Sequence, residues 1–97
     1  MQDTICDAIE NQNTLNFQYD GLHRRVEPHK MGKTTAGNLV LSGYQIGGRS
    51  HSNSVPYWRL YKLSKIKGLI KNKERFDGPR REYKRTDKRM THIYCQL

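Results

Sequence analysis

The apolar positions near the start of the chain recur with two different periods. Over residues 4–11 they follow the spacing of a helix, which predicts a short amphipathic helix at the N-terminus. Over residues 15–19 apolar and polar positions alternate, which predicts a half-buried strand. Asp20 and Gly21 follow as a strong hairpin signal, so the chain is expected to turn back on itself there.

The returning strand is predicted over residues 22–27, because Pro28 cannot donate to a β-ladder and marks its end. The polar, glycine-punctuated stretch 29–37 is then predicted to be a loop. An apolar run over residues 38–46 indicates a central strand. Residues 47–54 are too polar for a core, and we expect a loop there that is the best candidate for mobility.

Residues 57–63 alternate bulky side chains on both faces of a predicted strand. Tyr57, Arg59 and Tyr61 fall on one face and Trp58 on the other. A last short strand or turn is predicted over residues 66–70. These elements together predict a mainly β fold with an N-terminal helix.

Charge divides the chain unevenly. Its 97 residues suffice for one domain, and of the formal charge of +9, residues 1–61 carry six Lys or Arg against five acids. Residues 62–97 carry twelve against four. We therefore expect a folded domain over 1–71 and a basic extension over 72–97, which is either disordered or a solvated helix. Such a block attracts nucleic acid, an anionic membrane surface or an acidic protein, and also serves plain solubility.

Two cysteines, Cys6 and Cys95, lie at opposite ends of the chain. A small secreted scaffold would carry more, so we expect reduced cysteines that pack in the interior. A bridge between them stays open as the alternative, because a short helix and a last strand near the two termini can come together. There is no apolar run of membrane-spanning length, and the first residues are polar and acidic, unlike a secretory signal. These features predict a cytoplasmic protein with no membrane partner.

Catalytic chemistry is not predicted. The four histidines share no short ligand spacing, and His92 with Cys95 is at most half of a metal site. Gly32-Lys33-Thr34 resembles the end of a phosphate-binding loop but lacks its first glycine. We therefore expect no enzyme activity, no catalytic residue, no metal and no cofactor.

A set of blocks in fixed order resembles the bacterial WYL domain over roughly residues 3–70. These blocks are the helix, the Asp20-Gly21 turn, Arg24-Arg25-Val26-Glu27-Pro28, the apolar strand that ends in Gly43-Tyr44, and Arg59-Leu60-Tyr61-Lys62-Leu63-Ser64-Lys65-Ile66. Where that family places Trp-Tyr-Leu, this chain has Leu39-Val40-Leu41, and its tryptophan comes later, at Trp58.

The resemblance implies a small Sm-like or SH3-like β-barrel that works as a sensing or binding module. Most WYL domains are attached to a helix-turn-helix domain in bacterial transcription factors, and others accompany CRISPR and phage-defence systems. Their proposed effectors are negatively charged ligands, including nucleotides and single-stranded nucleic acid. This chain shows no helix-turn-helix, so the resemblance implies a stand-alone accessory or a protein bound to another subunit.

The resemblance also implies a basic pocket, because the planar fork of arginine matches phosphate oxygens. The predicted ligand-binding residues are Arg24, Tyr44, Trp58, Arg59, Tyr61 and Lys65. Aromatic residues interleaved with cations are typical of single-strand binders, although rings such as Tyr44, Trp58 and Tyr61 are more often core than stacking platforms. Arg59 could instead pair with Glu27 or Asp20 to stabilise the fold. Nonspecific phosphate contacts are predicted for Arg80, Arg81, Lys84, Arg85, Lys88 and Arg89.

The sequence therefore predicts a WYL-like module that binds single-stranded nucleic acid or a nucleotide in transcription or phage-defence regulation. Two alternatives stay open. One is a protein-interaction module that docks an acidic partner. The other is a small repressor that contacts duplex DNA through residues 80–89 folded as a helix. Pairing of the domain with itself as a homodimer is also left open.

Overall fold

The structure, a computed structural model, describes residues 1–51 and 54–97. Over these residues the chain forms one α-helix, six strands and a short 3₁₀ helix at Leu63–Lys65. The elements are α1 (Gln2–Asn11), β1 (Asn13–Tyr19), β2 (Leu22–Thr34), β3 (Leu39–Gly48), β4 (Tyr57–Lys62), β5 (Lys67–Arg75) and β6 (Met90–Gln96). The predicted mainly β fold with an N-terminal helix is confirmed. The loop predicted over 47–54 includes Ser52 and Asn53, which lie outside the described residues.

All strand pairs are antiparallel, in the order β4-β3-β2-β1-β5. The turn between β1 and β2 has positive φ at Asp20 and Gly21, 53° and 74°, as a type I′ hairpin requires. β6 pairs with the second half of β2, so β2 has β3 along one edge and both β1 and β6 along the other. Over the described residues this sheet does not close into a barrel.

β2 extends seven residues further than the sequence predicts, so the loop predicted from residue 29 is wrong over most of its length. On one edge β1 pairs as far as Val26 and β6 begins at Lys30. Pro28 lies between these two pairings, next to an irregularity in the register with β3. At that position neither β1 nor β6 requires an N–H from β2, so the proline does not end the strand.

The core lies between α1 and the inner face of the sheet. The buried apolar residues include Ile5, Ala8 and Ile9 of α1 and Leu15, Phe17, Tyr19, Val26, Met31, Leu41 and Tyr61 of the strands. The rings of Phe17 and Tyr19 meet Tyr61 edge-to-face, with centroids 5.0 and 5.1 Å apart. Such pairs add about 0.5–1.5 kcal/mol each beyond area burial, so this aromatic group stabilises the inner face.

The C-terminal part of the chain is a component of the same fold. β5 runs through the boundary predicted after residue 71, and β6 pairs with β2. Residues 76–89, which we name the strap, cross the outer face of the sheet between them. Arg80 of the strap forms a two-point ion pair with Glu27, at 2.7 and 2.8 Å. The strap consists of turns and irregular segments, so the helix required by the duplex-DNA alternative does not form within the described strap.

Cys6 and Cys95 form a disulfide, with Cα atoms 5.6 Å apart. The expectation of two reduced, packed cysteines is wrong, because α1 packs against β6 and brings the two side chains together. The low number of cysteines therefore gives no argument for a reducing compartment. Within the described residues, no helix is both long enough and apolar enough to cross a bilayer.

Candidate anion-binding site

The predicted ligand-binding residues divide between the two faces of the sheet. β3 and β4 pair so that Tyr44 is opposite Trp58 and Gly43 is opposite Arg59. Because side chains alternate along a strand, Arg59 and Tyr61 lie on the inner face while Tyr44 and Trp58 lie on the outer face. The sequence correctly predicted the alternation along β4, but the six residues do not share one pocket.

Arg24 is fully buried on the inner face. Its guanidinium donates to the Gln45 side-chain oxygen and the Tyr57 hydroxyl, both at 3.2 Å, and to the Tyr19 carbonyl at 3.1 Å. All three acceptors are neutral, and its Nε has no hydrogen-bond partner in the described part of the chain. Among the described residues, no carboxylate oxygen lies within 4.0 Å of this guanidinium. Arg24 is therefore a desolvated positive charge held by dipoles.

Arg59 approaches Arg24 through a shared partner. Its guanidinium lies 3.5 Å from the Tyr57 hydroxyl that also accepts from Arg24. It lies 3.6 Å from the Asp20 carboxylate and 5.2 Å from the centre of the Tyr19 ring. The alternative in which Arg59 pairs with Asp20 is thus realised, whereas Glu27 is taken by Arg80. We name the group Arg24, Tyr57 and Arg59 the recess.

Lys65 reaches the same region from the other side of Asp20. Its ammonium lies 2.8 Å from the Asp20 carboxylate and 5.1 Å from the centre of the Tyr19 ring. The hydrogen bond from Lys65, with the charges of Lys65, Arg59 and Arg24, holds the pKa of Asp20 below its usual value against the opposing effect of desolvation. Asp20 is therefore an internal anion that two cations share.

Tyr57 and Gln45 link the polar groups of the recess, and neither was predicted from the sequence as a functional residue. Burial by itself raises the pKa of Tyr57, but its hydrogen bonds with Ser50 and Arg59 and the charges of Arg59 and Arg24 outweigh burial and lower that pKa. Gln45 accepts from Arg24 and from the Tyr61 hydroxyl at 2.8 Å. A glutamine inside an apolar run was the available signal for such a buried polar link.

Tyr61 is a core residue in this structure. Its ring is fully buried and its pKa is raised, chiefly by desolvation. It cannot offer a free face to a base, since Phe17 and Tyr19 flank it. Its contribution to the recess is the hydroxyl that fixes Gln45.

On the outer face a cavity of about 280 Å³ opens between β4 and the strap. Trp58 lines it together with Tyr83, whereas Tyr44 lies behind Trp58 with the Arg80 guanidinium 4.6 Å from the centre of its ring. The cations that line this cavity are Lys30, Arg59, Lys84, Lys88 and Arg89, so Arg59 borders both the recess and the cavity. The remaining predicted phosphate contacts differ, since Arg85 binds the Leu97 carbonyl, Arg80 pairs with Glu27 and Arg81 is exposed.

No known protein-family model matches this chain, and neither the curated proteins nor the solved structures contain a match. The recess and the outer cavity are therefore defined by geometry and chemistry alone.

Proposed function

We propose that this chain is a WYL-like regulatory module that binds an anionic ligand at the recess formed by Arg24, Tyr57 and Arg59. The ligand that we favour is single-stranded nucleic acid or a nucleotide, in cytoplasmic bacterial transcription or phage-defence regulation. We further propose that the fold is related to Sm-like or SH3-like barrels. The support is β2, a long strand with register irregularities that pairs with β3 along one edge and with β1 and then β6 along the other.

The observation that carries the proposal is the burial of Arg24 beside Arg59 without a carboxylate of its own. Removing a cation from water is costly unless an anion or several strong acceptors compensate, and Arg24 has only neutral acceptors. A phosphate or carboxylate brought to the recess would supply the missing negative charge. Guanidinium groups suit phosphate because their donors match its oxygens in pairs.

Arg59 and Tyr57 are the residues that a ligand would touch first. Both side chains are partly exposed, whereas Arg24 is fully buried behind them. Arg24 would then attract the ligand through its positive charge and would hold the Tyr57 hydroxyl in place by its hydrogen bond. Asp20, which pairs with Arg59 and Lys65, is the group that an incoming anion would displace.

The proposal is tested by titrating labelled single-stranded and duplex oligonucleotides over a salt series. We expect tighter binding of the single strand, with affinity that falls steeply as salt rises. Arg59→Ala should weaken binding about tenfold or more, because it removes a partly desolvated charge contact. Arg25→Ala is the matched control, since Arg25 is the next residue to Arg24 but pairs with Glu74 away from the recess. Equal effects of the two variants would mean that only net charge matters, and the recess would have no specific role.

Docking of an acidic protein is a second candidate, favoured by β5. This edge strand exposes basic side chains along its length together with Ile70, of which 60% is accessible. A cationic strand edge with an apolar centre fits an acidic partner. The same variants separate the two candidates, since such a partner would bind Arg59→Ala as tightly as the unmodified protein.

A further inference from the structure

We propose that the outer cavity is a second binding site next to the recess, with Arg59 bordering both, and that it takes one nucleoside phosphate. The base would lie against Trp58 and Tyr83, and the phosphate would be held by Lys30, Lys84 and Lys88. This inference goes beyond the proposed function, because it concerns the opposite face of the sheet and residues of the strap.

The aromatic wall of the cavity is built from two elements that the fold brings together. The rings of Trp58 in β4 and Tyr83 in the strap are nearly parallel, with an interplanar angle of 18° and centroids 6.3 Å apart. His29 lies behind them, 4.6 Å from Trp58 and 5.2 Å from Tyr83 between ring centroids. Both rings are only partly buried, so a planar ligand can extend the stack. Stacking of a base on such a ring contributes a sequence-tolerant attraction.

Lys30 supplies a buried positive charge at the cavity wall. It is 1% exposed, and its ammonium donates to the carbonyls of Lys84 and Arg85 at 2.7 and 2.6 Å. Burial lowers its pKa, against the attraction of Asp87. An ammonium has three donors, and in the described part of the chain two have protein acceptors. The third has no hydrogen-bond acceptor there, and the ammonium lies 5.2 Å from the centre of the Tyr83 ring, so Lys30 adds positive potential to the cavity wall.

The carboxylates at the cavity do not cancel its cations. Asp87 is committed to Arg89, with two side-chain hydrogen bonds at 3.0 and 2.8 Å. Glu82 faces the Trp58 indole nitrogen at 3.4 Å. Among the described residues, neither Lys84 nor Lys88 has a carboxylate within 4.0 Å. The lysines therefore leave the cavity positively charged, and an anion is the ligand that it favours.

The size of the cavity limits the ligand to one nucleotide unit. Its volume of about 280 Å³ lies just below the range of about 300–1,000 Å³ that ligand pockets span. We therefore expect this cavity to admit no more than one base with its sugar and phosphate. Both a free nucleotide and the phosphorylated end of a strand have this chemistry.

Trp58 is the one tryptophan of the chain and borders the cavity, so its fluorescence reports on this site. We expect adenosine monophosphate to quench Trp58 saturably. Adenosine should bind about tenfold more weakly, and inorganic phosphate alone should leave the emission unchanged. A dinucleotide with a terminal phosphate shows whether the natural ligand is a free nucleotide or the phosphorylated end of a strand. Tighter binding than the monophosphate assigns a strand end, and weaker binding assigns a free nucleotide.

Matched variants separate the two parts of the site. Lys88→Ala should weaken monophosphate binding about fivefold or more while leaving adenosine unaffected, and Lys73→Ala on β5 is its control. Tyr83→Leu should weaken both ligands, whereas Tyr83→Phe keeps the ring and should retain binding. Urea unfolding of each variant checks that the fold is intact.

The inference is overturned if adenosine and its monophosphate bind equally, if Lys88→Ala and Lys73→Ala behave alike, or if quenching does not saturate. Arg24→Met distinguishes it from the proposed function. If that variant abolishes the quenching, the nucleotide occupies the recess, and the proposed function stands without a second site. If quenching is absent while Arg59-dependent oligonucleotide binding persists, the outer cavity alone fails.

Discussion

At the scale of single residues, Arg24 carries the proposed anion binding, and its burial has an energetic consequence of its own. Its guanidinium is fully buried and its acceptors are a glutamine oxygen, a tyrosine hydroxyl and a backbone carbonyl. Neutral acceptors compensate a buried charge only in part, and apolar replacements of buried charges are often neutral or stabilising. Retention of the charge is then explained by a ligand more readily than by the fold.

Arg24→Met tests this explanation directly. We expect the free energy of unfolding to change by less than about 2 kcal/mol, because lost hydrogen bonds are offset by relief of desolvation. Anion binding at the recess should fall about tenfold or more. Urea unfolding and oligonucleotide titration measure the two effects. A loss of stability above about 4 kcal/mol would show that Arg24 holds the fold together, which contradicts the functional explanation.

At the scale of elements, the packing of the strap on the sheet depends on a neutral histidine, His29. His29 Nδ1 lies 2.9 Å from the Glu27 carbonyl, and Nε2 accepts from the Arg80 backbone N–H at 3.0 Å. The ring also packs against Phe76 and Tyr83 of the strap. Burial lowers the pKa of His29, with Glu27 opposing and Arg80 adding to that effect. Protonation of His29 at Nε2 would bring its N–H against the backbone N–H of Arg80 and break that hydrogen bond. The observed position of the strap therefore requires the neutral ring.

This geometry predicts a pH dependence with a defined sign. Because the pKa of His29 is lowered from 6.5 in the folded state, the unfolded chain binds a proton first as pH falls. The contribution of His29 is present above pH 6.5 and is lost as pH falls below that value toward the lowered pKa. Urea unfolding at several pH values measures the slope. His29→Gln should flatten it and His92→Gln, on exposed β6, should not, and equal slopes in both variants would exclude His29.

Elements with local signals were predictable, and those set by distant contacts were not. The helix, the Asp20-Gly21 hairpin and the alternation along β4 each follow from residues close in sequence. The continuation of β2 past Pro28 depends on where β1 ends and β6 begins. The strap has no periodic apolar pattern of its own. It is ordered by contacts with residues about 50 positions away, such as the ion pair between Arg80 and Glu27, and these leave no local signal in the sequence.

The candidate site shows the same division. The sequence predicted Arg24 and Arg59, and the structure brings both to the Tyr57 hydroxyl. It also placed Trp58 on the face opposite Arg59. It could not predict that Tyr44 shares this face or that the strap covers it, since that depends on the register between β3 and β4 and on contacts of the strap. Lys30 was assigned to a loop, and its burial follows only from the extension of β2.

At the scale of the whole molecule, the Cys6–Cys95 disulfide joins α1 to the last strand across a separation of 89 residues. A crosslink of this span removes much of the freedom of the unfolded chain. The radius of gyration of the crosslinked chain is 12.1 Å, and the pairing of six strands holds the fold together apart from the crosslink. The disulfide should therefore act mainly on stability and leave the arrangement of the sheet unchanged.

Reduction of the disulfide should lower the free energy of unfolding by about 2–4 kcal/mol, because the unfolded state regains its freedom. Urea unfolding with and without reductant measures the difference. A Cys6→Ala, Cys95→Ala double variant is the control and should be insensitive to reductant. Two titratable thiols in the folded protein without reductant would contradict the Cys6–Cys95 bridge.

The strap is anchored at both ends, by β5 against β1 before it and by β6 against β2 after it. A segment fixed in this way can exchange its exposed side chains at little expense to the sheet, as loops on rigid scaffolds do. Exposed strap side chains such as Arg81 and Lys88 can thus be replaced with little effect on the sheet, whereas Tyr83 packs against His29. Substitutions at those positions should change the charge of the outer face while β1 to β4 keep their arrangement.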